Sequence, residues 1–123
     1  MTTAHFQHIK TSMVGEVAVV EILPKELRFP PQAHELGAEL ALVGRQEWAR
    51  HLLVNLRHVK FLSSTGFAVL VNLVKQVKDL GGEVKFCAID PEVQIGAEII
   101  GLDKIAEIYA TEHEAVRAFE GKA

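Results

Sequence analysis

Residues 52–70 run LLVNLRHVKFLSSTGFAVL. With His51, the stretch to Asn55 is an apolar run of strand length, and Leu56-Arg57-His58-Val59-Lys60 carries the chain on to Phe61 and Leu62. Ser63, Ser64 and Thr65 follow, then Gly66. From Phe67 to Leu80 the residues Phe67, Leu70, Val71, Val74 and Val77 share one helical face. Gly81-Gly82 ends that helix, because glycine takes the left-handed conformation of a C-cap without strain. A strand therefore feeds an amphipathic helix through a junction of three hydroxyls. Those hydroxyls sit where unpaired amides and the positive end of the helix dipole favour an oxygen or an anion. One of them suffices for an N-cap, worth about 1 kcal/mol, so three exceed what capping requires.

The same alternation extends to both sides. His5–Met13 alternates loosely and reads as an edge strand, Gly15-Glu16 as a turn, and Val17–Ile22 as a buried strand. Pro31 is suited to open a helix, which the spacing of Ala33, Leu36, Leu40 and Val43 carries from 32 to 48. Beyond Gly82, Glu83–Ile89 is a strand. Asp90-Pro91 starts a short helix to Ile100, stopped by Gly101, and Ile105–Tyr109 is a last strand. Thr111 with Glu114 forms a capping box that opens a final helix to Phe119. Strands alternating with helices give an α/β fold with a mixed or parallel central sheet.

Composition narrows the function. The 123 residues carry 13 Lys+Arg against 16 Asp+Glu, with a net charge of −3, and fit one domain over 1–123. Only Asp79, Asp90 and Asp103 are aspartates; the other acids are glutamates, which favour helix surfaces over the turns and caps where carboxylate chemistry is built. The absence of a basic run argues against nucleic acid. No apolar stretch reaches the ~20 residues of a membrane span, and the first residues have no hydrophobic signal core. Cys87 is the sole cysteine, so no internal disulfide forms. A cytoplasmic protein is the expectation.

Other signals are weak. His5 and His8 would point to opposite faces of a strand and read as solvent-exposed terminal residues, and His34-Glu35 lacks the second histidine of a zinc helix. There is no Gly-x-Ser-x-Gly elbow and no phosphate-cradling loop, so no catalytic residue, metal or cofactor is assigned. Cys87 reads as core, and Trp48 as core or an edge-packing anchor. On the helix after the hydroxyls, Val69 and Leu80 widen the apolar arc beyond what one sheet face covers. Either a neighbouring helix covers the excess, or Val69, Asn72, Leu73 and Gln76 form a docking patch beside Ser64.

The series from Leu52 to Leu70, with Gly81-Gly82 and the later Ile99-Ile-Gly-Leu-Asp-Lys-Ile105, resembles the STAS domain family over about Leu52–Phe119. The resemblance implies a central mixed sheet with helices mostly on one face. It also implies the role of bacterial anti-sigma factor antagonists, which are non-enzymatic modules in signal transduction and transcription regulation. They switch partners when an anti-sigma factor that is a serine kinase phosphorylates a serine in an Asp-Ser-x-Gly pattern. The matching residues here are Ser63, Ser64, Thr65 and Gly66, which makes Ser64 the phosphoacceptor, ahead of Ser63 and Thr65. Ser63 replaces the family aspartate. Arg28 stands where a second acidic residue is typical, in Lys25-Glu26-Leu27-Arg28. The implied partner surface comprises Arg28, Ser63, Thr65, Gly66, Val69, Asn72, Leu73 and Gln76. The alternatives are an unphosphorylated scaffold, an accessory subunit of a signalling complex or transporter ATPase, and an enzyme or small-ligand binder using the sheet-edge cleft.

Overall fold

In the computed structural model, which describes residues 6–121, five strands form one sheet in the order β1-β2-β4-β6-β7. They are β1 (Ile9–Val14), β2 (Val17–Ile22), β4 (His51–Asn55), β6 (Glu83–Cys87) and β7 (Ile108–Tyr109). β1 and β2 are an antiparallel hairpin turned at Gly15, whose φ of 60° suits glycine. The remaining pairings are parallel, with Val20 opposite Val54 and Val54 opposite Phe86. A separate parallel pair joins β3 (Glu26–Leu27) to β5 (Phe61–Leu62). The sheet is mixed, as anticipated.

Alternation along the strands divides the core in two. Ala18, Val20, Ile22, Leu52, Val54, Val84 and Phe86 face α1 (Pro30–Gly44), α2 (Ser64–Asp79), α3 (Pro91–Ile100) and the one-turn α4 (Leu102–Ile105). Val17, Val19, Leu53 and Cys87 face α5 (Glu112–Glu120) through Ala115, Val116 and Phe119. Four helices thus lie on one face and one on the other. Both faces of β2 are buried, which is why its sequence is almost continuously β-branched or aliphatic.

The elements differ from the sequence reading where side chains from elsewhere intervene. α1 begins at Pro30 and ends at Gly44 rather than Trp48. The Arg50 guanidinium takes the carbonyls of Gly44 (2.6 Å), Gln46 (2.8 Å) and Leu80 (3.2 Å), drawing the ends of α1 and α2 together, and Glu47–Ala49 becomes a 3-10 turn. Trp48 rides on that turn 45% exposed, and is therefore not core. α2 starts three residues before Phe67, at Ser64. β6 stops at Cys87 because Ala88 adopts φ 58°. The residues expected to begin the last strand at Ile105 are instead the end of α4. The first strand begins at Ile9. His5 lies outside the described residues, and His8 is not a loose terminal residue. Its ring nitrogen meets Glu35 at 2.9 Å, and the amides of Gln7 and His8 donate to Glu39.

Other expectations hold. Asp90 caps α3, accepting from the Glu92 amide at 2.9 Å, and Gly101 ends it at φ 85°. Thr111 caps α5, with the Glu114 amide donating to its hydroxyl at 3.1 Å. Cys87 is buried, and burial, followed by the nearby Glu112 and Glu21, pushes its thiol up to about 12, so it is no nucleophile at neutral pH.

Candidate functional site

The three hydroxyls have separate places. Ser63 is extended (φ −71°, ψ 168°), and its side-chain oxygen accepts from the Gly66 amide at 3.2 Å while its carbonyl accepts from Phe67 at 2.9 Å. It is the N-cap of α2, the role an aspartate also fills well. Ser64 is the first helical residue and is exposed; Thr65 is half-buried. Among the described residues, none hydrogen-bonds to the Ser64 side chain. Gly66 is buried against Leu62, where an added Cβ would lie 2.4 Å from Leu62 Cδ1 and 3.0 Å from its Cγ. Glycine at this position therefore has a packing cause.

The β3–β5 pair brings Arg28 to this junction. Leu27 pairs with Leu62, and the Ser63 amide donates to the Leu27 carbonyl at 3.0 Å, one step further along the ladder. Leu27 and Leu62 point into the core, so Glu26, Arg28 and Phe61 point outward. Arg28 Nε donates to Glu26 Oε1 at 2.7 Å, and the guanidinium lies 4.2 Å above the Phe61 ring centre. The hydrogen bond from Arg28, together with its charge, holds the Glu26 carboxyl below its ordinary range. Phe29 beside it is 68% exposed and Phe61 38% exposed. Neither phenylalanine stood out in the sequence. A two-residue strand pair leaves no periodic signal, and the resemblance marks the spot through Arg28 alone.

The docking patch needs correction. Val69, Asn72, Leu73 and Gln76 do come together, lining a recess of about 260 Å³ with His34, Gly37, Leu40 and Ala41 of α1. That recess is the seam between α1 and α2. Leu73 is only 2% exposed, and Gln76 Nε2 donates to the Ala41 carbonyl at 3.0 Å. Gly37 and Gly44 permit this closeness, since a Cβ on them would lie 3.1 Å from Val69 Cγ2 and 2.9 Å from Gln76 Oε1. Asn72 is exposed and Val69 half-buried. The neighbouring helix therefore covers the excess apolar arc, although Leu80 at its far end remains exposed.

A larger recess of about 520 Å³ lies at the other end of α2, lined by His51, Lys78, Gly82, Glu83, Lys104 and Glu107 among others. Its charges are of both signs and it holds none of the three hydroxyls. Among the described residues no group of three His, Cys, Asp or Glu is arranged to hold a metal, and no helix is long and apolar enough to cross a membrane.

Comparison with known proteins adds a family. A family model described as the STAS domain matches residues 15–115. An anti-sigma F factor antagonist of Paenibacillus polymyxa is 31% identical over 70 residues, covering 57% of this chain and 60% of that protein, under two thirds of its length. BtrV of Bordetella bronchiseptica, described as an anti-sigma factor antagonist without that function being established, is 32% identical over 89 residues, 72% of this chain and 75% of that one. Among solved structures, an anti-sigma-factor antagonist (STAS) domain protein of Planctomyces limnophilus superposes with a TM-score of 0.79 at 21% identity, covering 89% of this chain and 96% of that one.

Proposed function

The chain belongs to the STAS domain family, and from that membership we propose that it is a non-enzymatic, cytoplasmic protein-binding domain that exchanges partners when Ser64 is phosphorylated. The partner class is an anti-sigma factor that is also a serine kinase; two relatives described as anti-sigma factor antagonists support this. The observation that carries the reading is the division of labour at the head of α2. Ser63 caps the helix, which leaves Ser64 exposed at the first helical position and outside the capping role.

The chemistry is a transfer and the consequence is electrostatic. The γ-phosphoryl group of ATP passes to Ser64 Oγ in the kinase, ADP leaves, and the hydroxyl proton goes to the kinase's base. The product carries about −1.5 to −2 charges and three strong acceptors. The N-terminal end of α2 tolerates that charge, so the fold is kept. A partner surface that must bury it unpaired loses about 2–5 kcal/mol, roughly 30-fold to several-thousand-fold in affinity. Phosphorylation then releases a micromolar partner without altering the domain.

Incubation with Mg-ATP and the kinase recovered by affinity capture, followed by peptide mass spectrometry, tests the proposal. A Ser64 phosphopeptide is expected, and an unmodified Ser64 peptide overturns it. Ser63 in place of the family aspartate favours a second reading, an unphosphorylated scaffold or accessory subunit. Capture of a signalling assembly or a transporter ATPase together with an unmodified Ser64 would select it.

A further inference from the structure

Arg28 is an arginine at the one place where the β3–β5 ladder runs alongside the hydroxyl junction. The Ser63 amide bonds to the Leu27 carbonyl at 3.0 Å, so the backbone of Arg28 lies one strand spacing, about 4.8 Å, from that of Ser63, with Ser64 one residue beyond. An extended arginine spans that gap. Its present partners hold it lightly. The bond to Glu26 joins two side chains that are each about half exposed, and the Phe61 ring contact is a surface cation–π pair. Such exposed pairs are screened by water and hold a side chain weakly. The neighbouring cation Lys60 reaches Asp90 at 3.3 Å and is the alternative partner that the test must separate.

We propose that Arg28 forms an ion pair with the phosphate of phosphorylated Ser64, leaving Glu26 to do so. A phosphate presents a pair of oxygens that the planar guanidinium fork can engage in two parallel bonds, with up to twice the charge of one carboxylate. Phosphorylation then acts twice on the surface that a partner meets. It adds negative charge at Ser64, and it withdraws the positive charge now presented over Phe61. Where an acidic residue stood in place of Arg28, the phosphate would be repelled, so the residue type sets how the modified state is held. The inference rests on the reading of Ser64 as the phosphoacceptor.

The test needs neither kinase nor partner. Phosphoserine is incorporated at position 64 of the full chain during translation, and its second ionisation is followed by phosphorus NMR as pH is varied. Arg28 present, that ionisation should fall below the ordinary value near 6, and Arg28→Ala should raise it by about half a pH unit or more. Arg28→Lys should raise it less, and Glu26→Gln should lower it by removing the competing carboxylate. Lys60→Ala should leave it in place. Equal titrations for the parent and Arg28→Ala, or a shift that follows Lys60 instead, overturn the inference. Arg28 is exposed enough that its variants should fold, which thermal unfolding checks. Failure of the partner-switching reading would leave this titration unaffected, so the two failures are distinguishable.

Discussion

At the residue scale, adjacent serines have been given different work, and single substitutions separate them. Ser63→Ala removes an N-cap and should cost about 1 kcal/mol, read from the urea midpoint, whereas Ser64→Ala should leave that midpoint within about 0.5 kcal/mol. Glu21 sets a pH dependence. Burial pushes its carboxyl up, but hydrogen bonds from His58 (3.0 Å) and Arg57 (3.0 Å) outweigh that and hold it below its ordinary value. A carboxyl lowered in the folded state contributes stability above its unfolded value, and that contribution is lost as pH falls through the folded value. Urea midpoints should therefore decline below about pH 4.3, and Glu21→Gln should flatten that part of the profile. An unchanged slope in the variant would mean that another carboxyl governs acid unfolding.

At the element scale, close backbone approaches decide what is surface. Gly82 lies where an added Cβ would meet the Arg50 carbonyl oxygen, a backbone atom that cannot swing away, at 2.5 Å. Gly82→Ala should cost about 1–3 kcal/mol, measurable as a drop in Tm. α5 is seated differently, over a buried lysine. Lys85 on β6 is fully buried, paired with Glu83 at 3.0 Å and with Glu107, and lies 4.9 Å below the Phe119 ring. Both glutamates reach solvent, so losing the lysine strands no buried charge. Lys85→Met, which keeps the stem, should stay within about 1 kcal/mol, while Lys85→Ala opens a cavity under α5 and should cost about 2–4 kcal/mol. Near-equal losses for both would show that the ion pair, and not the packing, seats the helix.

The elements legible in the sequence were those whose signal is local. Asp90, Gly101 and Thr111 bound their helices as anticipated because a cap is written in a few adjacent residues. Trp48, the end of α1 and the β3–β5 pair were not legible. Each depends on contacts that no residue period records: Arg50, six residues past Gly44, taking the carbonyls of both α1 and α2, or Leu27 pairing with Leu62.

At the scale of the whole molecule, the hydroxyl junction and the sheet-end recess stand at opposite ends of α2, a 16-residue helix spanning about 24 Å. A phosphate at Ser64 therefore acts on whatever meets that end and leaves the far recess untouched. Ser64→Glu, or phosphoserine at 64, should weaken the captured partner by at least 30-fold in calorimetry, while Asn72→Ala on the α1–α2 seam should change it far less. A partner that binds both equally docks elsewhere. The sequence by itself determined the main alternation of strands and helices and the hydroxyl junction, because periodicity and capping act between near neighbours in the chain. Only the tertiary structure decided which apolar residues are covered and how the strand that carries Arg28 lies against the junction. Those outcomes depend on the seam that Gly37 and Gly44 open between two helices, and on a two-residue ladder that brings Arg28 beside Ser63.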